Sequence, residues 1–150
     1  MQKIALIFLS ILFLGCSVKE KPIYVSLKTP SFKISDEGFL KKSFGYKEII
    51  IYRLGQVPVK IRIKNSTVCI SHKCMDKIYF NKILCPKCSF DVLDYLLNKK
   101  PFPGKFVKTS YGFIQKNKFY IYKVSKNMVL FKTKKVLFFI KFLKDIDKKR

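Results

Sequence analysis

The feature that most constrains this chain is an alternation of apolar and basic side chains. Val57, Val59, Ile61 and Ile63 alternate with Pro58, Lys60, Arg62 and Lys64. Successive side chains of a strand point to opposite faces, so the stretch reads as a half-buried strand with a basic outer face. Pro58 has no amide hydrogen to give and marks its start or an edge position. Residues 23–27 and 47–54 also read as strands, followed across the turn Asn65-Ser66 by 67–71 and 77–84. In the last third, strands are expected over 106–109, 113–116, 119–124, 128–133 and 136–143. Short polar turns separate them, as in an antiparallel meander. Val136 to Leu143 is apolar on both faces except at Lys141, which implies a strand central to a sandwich or one whose concave side is covered.

One segment changes period. Phe90, Leu93, Leu96 and Leu97 form a helical stripe, Ser89 can cap it, and Asp91 suits the positive end of its dipole. A helix is therefore expected from Phe90 to Asn98, stopped by the loop that carries Pro101, Phe102, Pro103 and Gly104. The pair Asp36-Glu37 reads as a turn or cap, and Asp91 with Asp94 as a solvated helix face. The expected class is mainly β (α+β): an antiparallel sheet, incomplete barrel or sandwich, with one short helix.

The first sixteen residues carry a different signal. Lys3 precedes an apolar run from Ile4 to Leu14, 11 residues broken only by Ser10. A membrane-spanning helix takes about 20 residues, so the run fits the apolar region of a cleaved signal helix instead. It ends at Leu14-Gly15-Cys16, which resembles the lipobox of bacterial lipoproteins, with Phe13 where that pattern usually has Leu. The resemblance implies cleavage between Gly15 and Cys16 and a diacylglycerol (palmitate-type) thioether on Cys16. Ser17, rather than an acidic residue, follows the cysteine. By the sorting pattern of such proteins this implies the outer membrane, inner leaflet, facing the periplasm. The expected organisation is a signal peptide over 1–15, a lipidated tether over 16–22, one β domain over 23–143 and a charged tail over 144–150.

Four further cysteines, Cys69, Cys74, Cys85 and Cys88, have the spacing C-x4-C-x10-C-x2-C. In an exported domain this usually means two disulfides, and four cysteines allow three pairings. The local pairing, 69 with 74 and 85 with 88, is preferred. A zinc site from the four thiolates, with His72 able to replace one, is an alternative. So is a thiol redox role for Cys85-Pro86-Lys87-Cys88, although no parallel βαβ pattern surrounds that motif.

The net charge is +23 from 32 basic and 9 acidic residues. Nucleic acid is not the expected partner. Arg occurs only at 53, 62 and 150, and the bidentate fork that reads phosphates and bases belongs to Arg. An anionic lipid surface is an available use for the lysines, each worth about 1 kcal/mol near such a surface. His72 is the only histidine, and no phosphate loop or nucleophile elbow is present. The chain is read as a non-enzyme without cofactors, anchored to the membrane through its acyl chains. The first expected function is a structural or interaction module that binds another envelope protein.

The alternative is lipid or lipoprotein handling. Ser35 to Leu40 ahead of the strong strands, Asp91 to Leu97 followed by a Pro-containing turn, and the closing meander look like the lipoprotein-localisation receptor (LolB-like) fold. That resemblance implies an unclosed barrel whose concave face holds acyl chains beneath a helical lid. With it goes the expectation that Phe102, in its basic Pro-flanked loop, touches the membrane.

Overall fold

The computed structural model describes residues 18–53 and 55–144. The expected signal peptide with its cleavage site at Gly15, the expected lipid attachment at Cys16, and residues 145–150 of the charged tail lie outside the described residues. Eleven strands run in chain order: β1 Lys19–Lys28, β2 Lys33–Ser43, β3 Tyr46–Ile51, β4 Val59–Ile63, β5 Thr67–Ile70, β6 Lys73–Asp76, β7 Val107–Thr109, β8 Gly112–Lys116, β9 Ile121–Ser125, β10 Met128–Lys132 and β11 Leu137–Phe142. Two helices, α1 Lys77–Leu84 and α2 Val92–Asn98, lie between β6 and β7. All strands join one open antiparallel sheet in the order β6-β5-β4-β3-β2-β1-β11-β10-β9-β8-β7. It is two meanders joined where the first strand pairs with the last, Val25 opposite Ile140.

The sheet curls around α2. Lys47 on β3 donates to Asn98 Oδ1 at 2.9 Å, and the Tyr122 hydroxyl on β9 donates to the Tyr95 carbonyl at 3.2 Å. Those strands are five steps apart in the sheet. A flat sheet would separate them by about 24 Å, against about 10–12 Å for the width of a helix. One helix reaches both only if the sheet wraps it. The inward faces of both meanders and the apolar stripes of both helices form a single core. At Gly38 a Cβ would collide with the backbone carbonyl of Ile50, so the sequence needs glycine where β2 and β3 approach.

Four expectations are corrected. Lys77–Leu84 is a helix, not a strand. Its inward stripe is Lys77, Phe80, Asn81 and Leu84, a period masked in the sequence by Ile78 and Tyr79, which face solvent. The Asp76 carboxylate starts the helix by accepting from Ile78 N at 2.7 Å. There are thus two short helices rather than one, and the cap of the second is Asp91, which accepts from Asp94 N, rather than Ser89. Asp36 and Glu37 lie inside β2, paired with Val25 and Tyr24. The expected tether over 16–22 is also too long: β1 begins at Lys19, and Pro22 already sits opposite Phe39.

Phe102 fills the centre of the curl. Its ring lies 4.4 Å from that of Tyr122, 4.8 Å from Phe90 and 5.2 Å from Tyr120. The buried Gln115 amide accepts from Phe102 N at 2.9 Å and donates to Phe102 O at 3.1 Å. A loop backbone is thereby held inside the sheet with its polar groups satisfied. Beside it, the Tyr122 hydroxyl lies 3.0 Å from the Lys100 carbonyl, and burial pushes its phenol far above the ordinary tyrosine range.

A phenol whose folded pKa is raised keeps its full stabilisation below the unfolded value, about 10, and loses it as pH rises further. In an alkaline absorbance titration the Tyr122 phenol is therefore expected to ionise only together with loss of near-UV circular dichroism. Tyr122→Phe should remove that coincident step. A chain with all eight phenolates formed and its near-UV signal intact would contradict the burial argument.

Candidate ligand cleft

At the end of the sheet where β1 finishes, four segments converge on a cleft of about 460 Å³. Pro30 and Ser31 come from the β1–β2 turn, Phe119 from the β8–β9 turn, and Thr133 to Val136 from the β10–β11 turn. Lys82, Ile83, Cys85, Pro86 and Lys87 come from the end of α1 and the loop after it.

Each of the three turns is fixed by a side chain that takes the place of a backbone acceptor. Thr29 Oγ1 accepts from Phe32 N at 3.1 Å. Asn117 Oδ1 accepts from Phe119 N at 2.8 Å, and Thr133 Oγ1 from Val136 N at 3.0 Å. The loop wall is drawn back by Lys82, whose ammonium donates to the Cys88 carbonyl at 3.3 Å. The cleft is thus built from short, internally bonded turns.

Its chemistry is amphipathic. Pro30, Ile83, Pro86, Phe119 and Val136 give it apolar walls, and Lys82, Lys87, Lys134 and Lys135 stand around them. No carboxylate lines it among the described residues. An anionic amphiphile satisfies both parts, its chain against the apolar walls and its head near the ammonium groups.

The cysteines pair locally. Cys69 is bonded to Cys74, its partner across the β5–β6 hairpin, and Cys85 to Cys88 beside the cleft. The four are not gathered into a zinc site. Among the described residues no three His, Cys, Asp or Glu side chains converge as metal ligands, and His72 is exposed on the β5–β6 turn. Cys85 also caps the C-terminus of α1, its N–H bonded to the Asn81 carbonyl. That is the negative end of the helix dipole, which does not stabilise the thiolate a redox motif needs.

Phe102 is corrected as well. It is 2 % exposed and has no access to a bilayer. The acids at the start of α2 stay partly solvated, as expected, but both are also tied into the structure. Asp91 holds Lys77 at 2.6 Å and accepts from Asn81, whose amide oxygen takes the N–H of Leu93. Burial alone would raise the Asp91 carboxyl, but Lys77, Asn81 and the Asp94 N–H outweigh it and hold it below the usual range. Asp94 bridges Lys47 and Asn98. Sequence reasoning did not find the cleft. Its only local signals were the turn residues Thr29, Asn117 and Thr133, and nothing in the sequence says that they meet.

The fold and cleft define a class: a basic, mainly β protein in which an open antiparallel sheet wraps two helices and leaves a lysine-rimmed cleft at one end. Compared with known proteins, the chain matches no family model, no curated protein and no solved structure. Among the described residues no helix is long and apolar enough to cross a membrane.

Proposed function

We propose that the chain is a lipid-anchored protein of the outer membrane, facing the periplasm, that handles acyl chains of lipids or of lipidated proteins. The observation that carries this reading is the open sheet wrapped around α1 and α2, with the amphipathic cleft at its end. Cys16 supplies the anchor, and Ile83 and Phe119 give the client chain an apolar surface. Lys82, Lys87, Lys134 and Lys135 draw in an anionic head or an acidic stretch of the client. No bond is made or broken in this role, which is transfer by binding. The resemblance to lipoprotein-localisation receptors would put the acyl chain on the concave face of the sheet; here that face is filled by Phe80, Phe102 and Phe131, so the end cleft takes that role in this reading.

Protein purified from membranes is expected to carry extractable acyl species beyond those on its own cysteine, and to bind a fluorescent fatty acid. Burying a large apolar side chain is worth about 1.5–3 kcal/mol, so Phe119→Glu should weaken the probe by about tenfold or more. A protein that carries no such species and binds no probe would instead support the structural or interaction reading. One observation favours that second reading: the space between sheet and helices is filled, with Phe80, Leu84, Leu93 and Phe131 fully buried.

A further inference from the structure

The antiparallel register gathers a second set of side chains at the opposite end of the sheet, where β1 begins. Lys19 pairs with Lys42, which puts the β2–β3 turn there. Ile23 pairs with Phe142, and Met128 with both Lys141 and Ser125, which adds the end of β11 and the β9–β10 turn. The C-terminus of α2 reaches the same end, because Lys42 donates to the Leu97 carbonyl and Lys99 to the Lys126 carbonyl.

Two features of this end are costly for a free surface. Phe44, at the tip of the β2–β3 turn, has a relative exposure of 102 %, held out by Gly45 at φ +82°. The same end of the sheet carries Lys19, Lys21, Lys42, Lys99 and Lys126. Among the described residues none of these five is in a salt bridge; the local carboxylates Glu20 and Asp94 are bound to Lys41 and Lys47. Lys99 and Lys21 instead lie over the Phe142 ring, at 4.0 and 5.9 Å. Burial, then the like charges of their neighbours, lowers the ammonium pKa of Lys42 and of Lys99. A polyanionic surface would relieve that repulsion.

We propose that this end of the sheet docks on anionic phospholipid, with Phe44 entering the boundary between headgroups and acyl chains. The proposal rests on the acylation of Cys16, because the strand starts only three residues later. A chain spans at most about 3.6 Å per residue, so Lys19 lies within about 11 Å of the lipidated residue. The Debye length is about 8 Å at physiological salt, so the lysines of this end sit within range of the headgroup charge. A partner protein would have to enter that gap, whereas the bilayer already occupies it. With β1 spanning about 33 Å, docking also holds the cleft away from the membrane, open to the periplasm.

The sequence contains no Trp, so Phe44→Trp is a single reporter at a turn where nothing packs against the ring. The acylated protein would be reconstituted on vesicles of phosphatidylcholine with and without phosphatidylglycerol. Phe44→Trp emission is expected to shift to the blue and be quenched by lipid brominated on its chains, on the anionic vesicles. Val57→Trp, 85 % exposed in the β3–β4 turn, at the opposite end of β3 from Phe44, should stay solvent-like. Combining Lys19→Gln, Lys21→Gln and Lys126→Gln should lower the docked-to-undocked ratio about a hundredfold, at about 1 kcal/mol per lysine. Protein that floats with the vesicles while Phe44→Trp stays solvent-like would overturn the docking face and leave the anchor standing. Protein that carries no acyl mass and does not float would overturn both. Equal quenching of the Val57 and Phe44 reporters would also overturn the docking face.

Discussion

Phe102→Ala is expected to lower the unfolding free energy by about 3–5 kcal/mol, the cost of removing a fully packed aromatic ring from a core. The site has little room to collapse. The rings of Phe90, Tyr95, Tyr120, Tyr122 and Phe131 all lie 4.4 to 5.8 Å from that of Phe102. The loop that carries it is tied at both backbone groups to Gln115, so the main chain cannot follow the missing ring inward. For a domain of this size the change corresponds to a fall in Tm of about 10–20 °C. Phe106→Ala is the control. Phe106 is 39 % exposed, and among the described residues its ring lies against one other aromatic ring, Phe113, so its loss should cost far less. Urea unfolding of the two variants side by side checks the difference. Equal midpoints would show that Phe102 is not the centre of the core.

The contrast between those two residues shows where a sequence stops being legible. Phe102 and Phe106 flank the same Pro-Gly-Lys stretch, the first read as a loop aromatic and the second as the start of a strand. What separates them is a pocket that exists only once the sheet has curled around α2. Gln115, a polar residue on the inward face of β8, was the visible half of that arrangement, but its partner is 13 residues away in a loop. The strands were legible where alternation was strict, as in β4 and β9. They were not legible in β2, where Ser35, Asp36, Glu37 and Gly38 interrupt the apolar set between Ile34 and Leu40. The helix α1 was lost for the opposite reason, since Ile78 and Tyr79 add apolar residues on its exposed side. The cysteine pairing could be read because both bonds are local. Neither the cleft nor the basic end could be read, because each is assembled from turns that only the register brings together.

The largest change of all is expected at a residue whose effect does not depend on the fold. Cys16→Ser should abolish incorporation of labelled palmitate and leave the chain with residues 1–15 still attached, visible as the precursor's intact mass. In the proposed anchoring the Cys16 thiol accepts diacylglycerol, which a serine hydroxyl would not, and cleavage before position 16 would depend on that acylation. The uncleaved signal is a poor substitute for the lipid. Eleven residues, the length of its apolar run including Ser10, would span only about 16 Å even as a full helix, roughly half of a 30 Å hydrocarbon core. One acyl chain holds a protein only reversibly, with a constant of about 10⁴ M⁻¹, and two or three are needed for stable anchoring. The variant should therefore rely on its signal and on the basic end of the sheet, and lysine attraction fades at about 1 M salt, where the Debye length is near 3 Å. Washing membranes at high salt then separates the cases: the parent stays in the pellet and the variant is released. A Cys16→Ser chain that is cleaved, unlabelled and still as salt-resistant as the parent would remove the anchor. With it would go the short tether that presses Phe44 and its lysines toward the bilayer.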